Sequence, residues 1–386
     1  MIENLEREFE SLGPQIVEWR RDFHRHPEVA FEEKRTSEVL RKSLEGLGLD
    51  VRACGGLGVR AVLDGRPGGK TLALRADMDA LPLVEEGNKE YISLNKGATH
   101  ACGHDGHMAI VMAVAKVLAA RKNDFAGRVV FLFQPAEELP PGGAIGMVED
   151  GALEGVQAVF GLHLWQGFGT GLVAAAKGPM MAQADNFTIT VKGRGGHGSM
   201  PQFTADPILA AAAIVVAAQS IVSRNVDPLK PAVVSFGAIQ GGTVNNIIPT
   251  TVSLKGTVRT FDPGLQEHIE GRLRALAEST AKAYGAEAAL EYFVGYPAVV
   301  NDPGMTDLAF GVAREVLGRD RALECEPVMG GEDFAYYLRK VPGAFLFFGA
   351  GDGMTHPHHH PGFDIDERAL VPAAHLLARI ALEFLG

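Results

Sequence analysis

The spacing of apolar residues divides the first 180 positions into alternating helices and strands. Apolar side chains recur every three or four positions over 3–25, with an interruption expected near Gly13-Pro14, and a second helical stretch covers 36–47. Apolar runs then predict strands at 59–63, 71–76, 128–134 and 158–162, with helices at 108–122 and 144–150. This succession indicates an α/β fold in which helices flank an open mixed sheet.

The pattern changes near residue 182 and changes back near residue 295. Between these points the chain predicts the order β-α-β-β-α-β, which is typical of a ferredoxin-like α+β domain. Beyond residue 295 a helix, the strand 344–348 and a closing helix restore the α/β texture. We therefore predict one domain in two parts, 1–181 and 295–386, interrupted by an inserted domain over 182–294.

Composition narrows the classes of partner. The chain carries 36 Lys+Arg against 47 Asp+Glu, a net charge of −11, which disfavours nucleic acid and anionic membranes as partners. The charged amino terminus lacks the apolar block of a signal peptide, and no apolar span reaches the roughly 18 residues of a membrane helix. Three widely spaced cysteines suit a reducing compartment, so we expect a cytoplasmic protein.

The densest group of metal-binding side chains is the octapeptide His100-Ala-Cys-Gly-His-Asp-Gly-His107. It opens the apolar helix predicted from residue 108, and the partial positive charge of a helix start favours a thiolate at Cys102. Thiolate and imidazole suit zinc and neighbouring transition metals. The alternative is a loop with an inert cysteine and solvated histidines.

Two aspartates follow the strand predicted at 71–76. Asp77 and Asp79 are two positions apart, so their side chains point to the same face of an extended chain. They could approach a metal or orient a ligand histidine from behind it. Pairing with Arg75, or capping of a turn, would explain them equally well.

Further polar groups follow the next two strands. The pair Glu137-Glu138 comes after the apolar strand 128–134, and His163 follows the strand 158–162. Because sites in open α/β sheets form beyond the carboxyl ends of strands, we expect these groups to meet. The candidate ligands are Cys102, His104, Glu138, His163 and one histidine of the loop 355–361. Five ligands are too many for one tetrahedral ion but suit two ions that share a bridging group.

Such a site favours hydrolysis. Two cations activate a water and polarise a carbonyl, and a carboxylate must still take the proton of the water and pass it to the leaving group. The pair Glu137-Glu138 provides both functions if one residue ligates and the other faces the water. A solvated acidic surface is the alternative, but the preceding buried strand and Pro135 favour a functional pair.

Eight motifs run in order along nearly the whole chain. They are Asp22-Phe-His-Arg-His-Pro-Glu28, Arg75-Ala-Asp-Met-Asp-Ala-Leu-Pro82, His100-Ala-Cys-Gly-His-Asp-Gly-His107, Gln134-Pro-Ala-Glu-Glu138, Gly161-Leu-His163, Gly193-Arg-Gly-Gly-His-Gly-Ser199, Gly241-Gly-Thr-Val-Asn-Asn-Ile-Ile-Pro249 and Gly330-Gly-Glu-Asp-Phe334. Together they resemble the two-metal amidohydrolases and carboxypeptidases of the aminoacylase type, specifically the branch with hippurate hydrolase and plant indoleacetyl-amino-acid hydrolases. The resemblance implies a two-metal exopeptidase fold whose inserted domain serves as lid and dimerisation domain.

The resemblance also implies the roles of the metal-site residues. By it, the metals are held by Cys102, His104, Glu138, His163 and a C-terminal histidine, and Glu137 is the general base. In the family, this last ligand begins the pattern His-x-Pro-x-aromatic-Asp. That pattern selects His359 here. The neighbouring histidines at 356, 358 and 360 are competing assignments, to which a supporting or solvated role is better suited.

In the inserted domain the resemblance assigns His197 to the substrate carbonyl oxygen, where negative charge develops. Asn245, or its neighbour Asn246, and Arg259 would bind the free carboxylate of the substrate. These residues could act across a dimer interface. Each position also has an alternative. The segment 193–198 around His197 could be a plain turn, Asn245-Asn246 could be the end of a hairpin, and Arg259 could be a cation on a strand face.

The implied activity is hydrolysis of the amide bond of N-acyl amino acids, hippurate-like, N-acetyl or related, to a carboxylic acid and a free amino acid. The implied cofactor is a pair of divalent ions, with zinc, manganese, cobalt and nickel all suited to the ligands. The implied assembly is a homodimer or higher homo-oligomer. A dipeptidase or carboxypeptidase on the same site is the alternative enzyme, and a metal-binding protein without catalysis is the alternative outside enzymes.

Overall fold

The computed structural model describes residues 4–386, which divide into two compact units. The first unit comprises the chain up to Met180 together with Val299–Pro327 and Asp333–Gly386. The second comprises Met181–Ala298 and the short return segment Val328–Glu332. The predicted insert, 182–294, lies inside the second unit, but the return segment was not predicted from the sequence.

Sixteen strands lie within the described residues. In chain order they are β1 (Asp50–Ala53), β2 (Val59–Asp64), β3 (Arg66–Asp77), β4 (Ala126–Gln134), β5 (Ala158–Trp165), β6 (Val173–Ala175), β7 (Gly178–Met181), β8 (Gln183–Lys192), β9 (Gly196–His197), β10 (Ala232–Gly241), β11 (Ile247–Ile248), β12 (Thr251–Thr260), β13 (Glu287–Tyr296), β14 (Val299–Asn301), β15 (Ala322–Glu324) and β16 (Gly343–Gly349).

The same part of the chain forms nine α-helices. They are α1 (Leu5–Arg25), α2 (Lys34–Gly46), α3 (His104–Ala120), α4 (Gly143–Glu149), α5 (Pro207–Ser220), α6 (Pro263–Ala283), α7 (Pro303–Val316), α8 (Ala335–Leu338) and α9 (Leu370–Leu385).

An eight-stranded mixed sheet forms the centre of the first unit, with the order β1-β2-β4-β3-β5-β16-β6-β15. Strands β3, β4, β5 and β16 run parallel to one another, whereas β2 is antiparallel to β4. Helices α3 and α9 pack against β3. The predicted α/β fold with an open mixed sheet is confirmed.

The parallel strands are the most apolar part of the chain because both of their faces are covered. All seven residues of β16 are buried, as are seven of the eight in β5. Each fully buried phenylalanine of this core, such as Phe131 or Phe160, contributes about 1.5–3 kcal/mol relative to exposure. The carboxyl ends of these strands are therefore held in fixed positions by a well-packed core.

Helix α1 continues through Gly13-Pro14, so the predicted interruption is wrong. A proline inside a helix costs about 3 kcal/mol because it lacks an N–H and crowds the preceding turn. Leu5, Phe9 and Phe23 of α1 are all buried, and their burial outweighs this cost at about 1.5–3 kcal/mol for each side chain.

The second unit contains a four-stranded antiparallel sheet with the order β10-β12-β8-β13. In chain order its elements are β8, α5, β10, β12, α6 and β13, which is the ferredoxin-like arrangement. Both helices start at an aspartate whose side chain accepts from backbone N–H groups of the first turn, Asp206 for α5 and Asp262 for α6. Apolar residues of the sheet and the two helices form one core.

One helical stretch among the described residues, Pro207–Asn225, is long and apolar enough to cross a membrane by length and composition, contrary to the expectation from the sequence. It comprises α5 and the turn that follows. Its residues Ala210, Ile214 and Ala218 lie in the core of the second unit, and a helix of a globular core passes the same test.

Candidate metal centre

Two overlapping groups of side chains meet at the carboxyl ends of β3, β4 and β5, with His163 inside β5 near its end. Ligand atoms of Cys102, His104 and His163 lie within 4.8 Å of one another, and so do ligand atoms of Cys102, Glu138 and His359. Cys102 belongs to both groups. All five predicted ligands are thus brought together in the first unit.

Both buried histidines present Nε2 to this cluster. His104 Nδ1 donates to the carbonyl oxygen of Asp79 at 2.8 Å, and His163 Nδ1 donates to that of Leu164 at 2.9 Å. A carbonyl oxygen can only accept, so in each neutral ring the lone pair is on Nε2. A histidine whose Nδ1–H is held in this way is oriented as a metal ligand.

His359 occupies a backbone conformation that non-glycine residues rarely adopt. Its φ angle is 65°, and its N–H donates to the carbonyl oxygen of Ala101 at 2.9 Å. The ring places Nε2 at 3.2 Å from Glu138 Oε1. Such strain costs about 1–3 kcal/mol and concentrates at functional sites.

The other histidines of the loop are engaged elsewhere. His358 Nε2 donates to the carbonyl oxygen of Leu164 at 3.1 Å. His356 and His360 stack on each other, with ring centroids 4.3 Å apart. The geometry therefore favours His359 over its three competitors as the ligand from this loop.

The turn after β4 carries both glutamates. Asp79 Oδ1 accepts from the N–H of Glu137, and Asp79 Oδ2 accepts from the N–H of Glu138, each at 2.9 Å. Carboxylate oxygens of both glutamates and a ring nitrogen of His104 lie within 4.8 Å of one another. Glu137 is buried, so its carboxylate lies beside the ligand cluster in a site of low water content.

Asp77 pairs with Arg75, which is one of the interpretations that the sequence left open, and it also lies next to two histidines. It accepts from Arg75 Nη1 at 2.8 Å and from His107 Nδ1 at 2.7 Å. It also lies 3.8 Å from His104 Nε2. Burial opposes its negative charge, but His104, the hydrogen bond from His107 and the Arg75 guanidinium hold the pKa of Asp77 well below its usual range. Asp77 therefore adds a negative charge next to the ligand cluster.

His107 is a residue whose role was not identified from the sequence. Its Nδ1 donates to Asp77, and its Nε2 accepts from the backbone N–H of Leu164 at 2.8 Å. Both ring nitrogens are thus occupied, although the octapeptide suggested a metal-capable side chain. Its position three residues after His104 on α3, and so on the same helix face, is the only local signal.

The charge state of Cys102 differs from the expectation. Gly103 precedes α3, so Cys102 lies near a helix start as predicted. Burial and the carboxylates of Glu138 and Glu137 nevertheless raise the pKa of the Cys102 thiol well above its usual value. The carboxylates and the loss of hydration outweigh the helix dipole, so a thiolate at this position requires a cation.

The ligand set fits a pair of transition-metal ions. His104 Nε2 is buried without a hydrogen-bond partner, and Glu138 Oε1 is buried without a well-aligned one. Burial disfavours a charged His104, but the carboxylates of Asp77 and Asp79 outweigh it and raise the pKa of His104 to about 10, so an ion that binds at Nε2 must displace a proton. Burial lowers the pKa of His163 well below its usual value, which keeps that ring neutral. Two orphaned polar atoms beside a thiol and two imidazoles are what a cation would satisfy.

His197 lies in the second unit, on β9, which pairs with β11. Its Nδ1 accepts from the N–H of Ser199 at 3.1 Å and interacts with Ser199 Oγ at 2.8 Å. A backbone N–H can only donate, so Nδ1 is the acceptor and the proton of the neutral ring is on Nε2. The exposed His197 therefore presents an Nε2–H donor.

Asn245 and Arg259 belong to the same unit. Asn245 is exposed, and the adjoining Asn246 accepts through its carbonyl oxygen from the N–H of Gly198 at 2.8 Å. The half-buried Arg259 guanidinium donates to the carbonyl oxygens of Asp185 and Val258 and to the Thr257 hydroxyl. Binding of a carboxylate would replace these neutral acceptors with a charged one.

Comparison with known proteins agrees with this arrangement. The model of peptidase family M20/M25/M40 matches residues 73–383. The N-acetyl-L-cysteine deacetylase of Bacillus subtilis is 40% identical over 376 residues, which cover 97% of this chain and 89% of the relative. Thermostable carboxypeptidase 2 of Saccharolobus solfataricus is 37% identical over 391 residues, which cover 100% and 99%.

A solved structure shows the same fold. The Bacillus subtilis YXEP protein, described as a dinuclear metal-binding peptidase of the M20 family, superimposes with a TM-score of 0.84. It is 36% identical, and the match covers 97% of this chain and 99% of that one. The chain therefore belongs to peptidase family M20/M25/M40 and is a hydrolase of the amidohydrolase type.

Proposed function

We propose that the enzyme hydrolyses the amide bond of N-acyl amino acids and releases a carboxylic acid and a free amino acid. The observation that carries the proposal is the buried carboxylate of Glu137 beside five converging ligands, two of which have unsatisfied ligand atoms. The relative named as an N-acetyl-L-cysteine deacetylase supports the substrate class.

Two divalent ions would be held by the cluster. Cys102 with His104 and His163 would hold one ion, and Cys102 with Glu138 and His359 would hold the other. When bound, such ions polarise the scissile carbonyl and lower the pKa of a water. Zinc, manganese, cobalt and nickel are all compatible with this mixture of sulfur, nitrogen and oxygen ligands.

Glu137 would act as the general base. Its carboxylate takes a proton from the attacking water while the water oxygen forms a bond to the acyl carbon. When the C–N bond breaks, Glu137 returns that proton to the departing amine nitrogen. Its burial suits this role, because a carboxylate in a site with little water holds its proton for transfer rather than losing it to solvent.

The second unit would supply groups that recognise the substrate. The Nε2–H of His197 would donate to the oxygen that becomes negative during attack, where one such donor is worth about 10²–10³ in kcat. Asn245 and Arg259 would bind the free carboxylate of the amino acid. Asp77 and Asp79 would support the ligands from behind.

We also propose that the enzyme is a homodimer. In the second unit β10 is an edge strand, and apolar side chains near it and on α5 are exposed, including Val216 at 73% and Ile239 at 58%. An unpaired edge beside an apolar surface favours pairing with a second copy. Sedimentation of the purified enzyme tests this directly.

We place the enzyme in the cytoplasm, because its cysteines Cys54, Cys102 and Cys325 are all unpaired.

A carboxypeptidase or dipeptidase activity is the second candidate, favoured by the full-length similarity to a thermostable carboxypeptidase. Both reactions cleave an amide next to a terminal carboxylate. The test is a substrate panel of N-acetyl, benzoyl and longer N-acyl amino acids together with dipeptides and C-terminally blocked peptides. Turnover of the N-acyl amino acids at the highest kcat/KM supports the proposal. Preferred turnover of dipeptides would replace it with the second candidate.

A further inference from the structure

We infer that Glu33 is a positioning residue for Glu137: its carboxylate, together with that of Asp79, fixes the backbone turn from which both glutamates of the site project. The inference rests on the proposed role of Glu137 as the base. Glu33 belongs to none of the ligand groups, and its side chain holds the turn through the main chain.

The contact joins two distant parts of the first unit. Glu33 immediately precedes α2 and is completely buried. Its Oε1 accepts from the backbone N–H of Ala136 at 2.8 Å, across 103 positions of the chain. Ala136 has a φ angle of 54°, which alanine rarely adopts, so the turn needs an external tether to stay in this conformation.

Asp79 completes the tether. Its two oxygens accept from the N–H groups of Glu137 and Glu138, the two positions that follow Ala136. Three consecutive amides are thus held by two carboxylates from separate elements. With three successive amides anchored, the main chain of the turn has little freedom, so the positions from which both glutamate side chains project are closely fixed. Misplacement of a catalytic group by about 1 Å can cost about 10²-fold in rate.

Burying the carboxyl of Glu33 carries a cost. Its second oxygen, Oε2, is buried without a hydrogen-bond partner. Burial, with the nearby charge of Asp79, raises the pKa of Glu33 to about 7. A buried acceptor left unsatisfied costs about 1–3 kcal/mol, and an apolar residue at this position would instead leave the Ala136 N–H without its acceptor. The carboxyl is therefore present for what it holds.

Glu28 provides a matched comparison. It lies in the same segment, and its two oxygens accept from the N–H groups of Arg35 and Thr36 at 3.0 and 2.8 Å. Both glutamates thus accept from backbone amides, but Glu28 holds the start of α2, whereas Glu33 holds the turn at Ala136. If the turn at Ala136 matters for catalysis, kcat must fall when Glu33 is replaced and must not fall when Glu28 is replaced.

The experiment compares Glu33→Leu, Glu33→Gln and Glu28→Leu in the metal-loaded enzyme. Leucine fills similar volume without an acceptor, and glutamine keeps an acceptor for Ala136. Glu33→Leu is expected to lower kcat about 10–100-fold, with KM and metal content within about twofold of wild type. Glu33→Gln restores most of kcat, and Glu28→Leu keeps it while lowering the melting temperature. Should Glu33→Leu not fold, Glu33→Ala takes its place.

Hydrogen–deuterium exchange of the metal-free protein gives a second measure that does not depend on catalysis. Peptides that cover 134–139 should exchange faster in Glu33→Leu and remain as in wild type in Glu28→Leu. Unchanged exchange, or a wild-type kcat in Glu33→Leu, would overturn the inference. An equal loss of kcat in Glu28→Leu would also overturn it. If the wild-type enzyme cleaves no amide while the exchange result holds, the proposed function fails and the tether stands.

Discussion

The Nε2 atom of His107 accepts a hydrogen bond from the backbone N–H of Leu164 at 2.8 Å. The opposite ring nitrogen of His107 donates to Asp77. One imidazole therefore connects the aspartate at the end of β3 to the end of β5, next to the ligand His163. The metal cluster depends on this cross-connection because its ligands come from separate strands and loops.

Replacement of His107 by alanine should loosen the site without removing a ligand. It leaves the Leu164 N–H and one Asp77 oxygen without their partner, and loss of such supporting bonds typically weakens metal affinity about 10–100-fold. We expect metal titration to show two ions still bound, but more weakly, whereas His104→Ala removes an ion. An unchanged affinity in His107→Ala would show that the connection does not matter.

The two ligand groups predict different metal contents for two variants. Cys102 belongs to both groups, whereas His359 belongs to one. Cys102→Ala should therefore release both ions, and His359→Ala should release no more than one. Atomic emission after gel filtration measures the stoichiometry, with Cys325→Ala, a half-buried cysteine outside the cluster, as the control. Equal loss in the first two variants would contradict the shared role of Cys102.

His197 should act as a neutral donor. Loss of its Nε2–H is expected to lower kcat about 10²–10³-fold in His197→Ala, with the metals retained. Ser199→Ala removes the hydroxyl but keeps the hydrogen bond from the backbone N–H of residue 199 to His197 Nδ1. It should therefore lower kcat much less than His197→Ala. Nitrogen-15 NMR of the His197 imidazole checks the tautomer. The matched control is His268→Ala, at an exposed histidine of the same unit, which should leave kcat unchanged. A protonated Nδ1 in the neutral ring would contradict the account.

The buried Glu33 predicts a pH dependence of stability. Its pKa rises from 4.5 to about 7 on folding, so the folded protein binds this proton more tightly than the unfolded chain. The stabilisation is complete below about pH 4.5 and is lost as the pH rises through 7, amounting to about 3 kcal/mol at most. Urea titrations should show the free energy of unfolding of wild type falling relative to Glu33→Gln over this window. If the difference in free energy of unfolding between wild type and Glu33→Gln stays constant over this window, the pKa of Glu33 is not raised on folding.

The sequence predicted the elements whose signal is local. Strands β4 and β16 are continuous apolar runs because both faces are covered. A polar residue that ends an apolar run is also visible in the sequence, as at His163, although β5 continues to Trp165. The short strands β6 and β15, three residues each, were not predicted because pairing with neighbouring strands, not composition, makes them strands.

Asp77 and Asp79 were named from the sequence as supporting residues, but Glu33 and His107 were not. Glu33 and His107 act through single hydrogen bonds to backbone groups 103 and 57 positions away. No periodicity or spacing encodes such a contact, because it exists only once β4 and β5 lie beside α2 and α3. The protonation of Cys102 also depends on carboxylates that the fold brings close.

The central claim is that Glu137 moves the proton while the other glutamate and four further ligands bind metal. Glu137→Gln keeps the size and the backbone contacts of the side chain but removes its basicity. The decisive measurement is the kcat of this variant on an N-acyl amino acid, together with its metal content, after metal stripping and reloading. We predict two ions bound as in wild type and a loss of kcat of about 10²–10⁴-fold, the range of a general base. A variant that keeps its metal and its kcat would contradict the account.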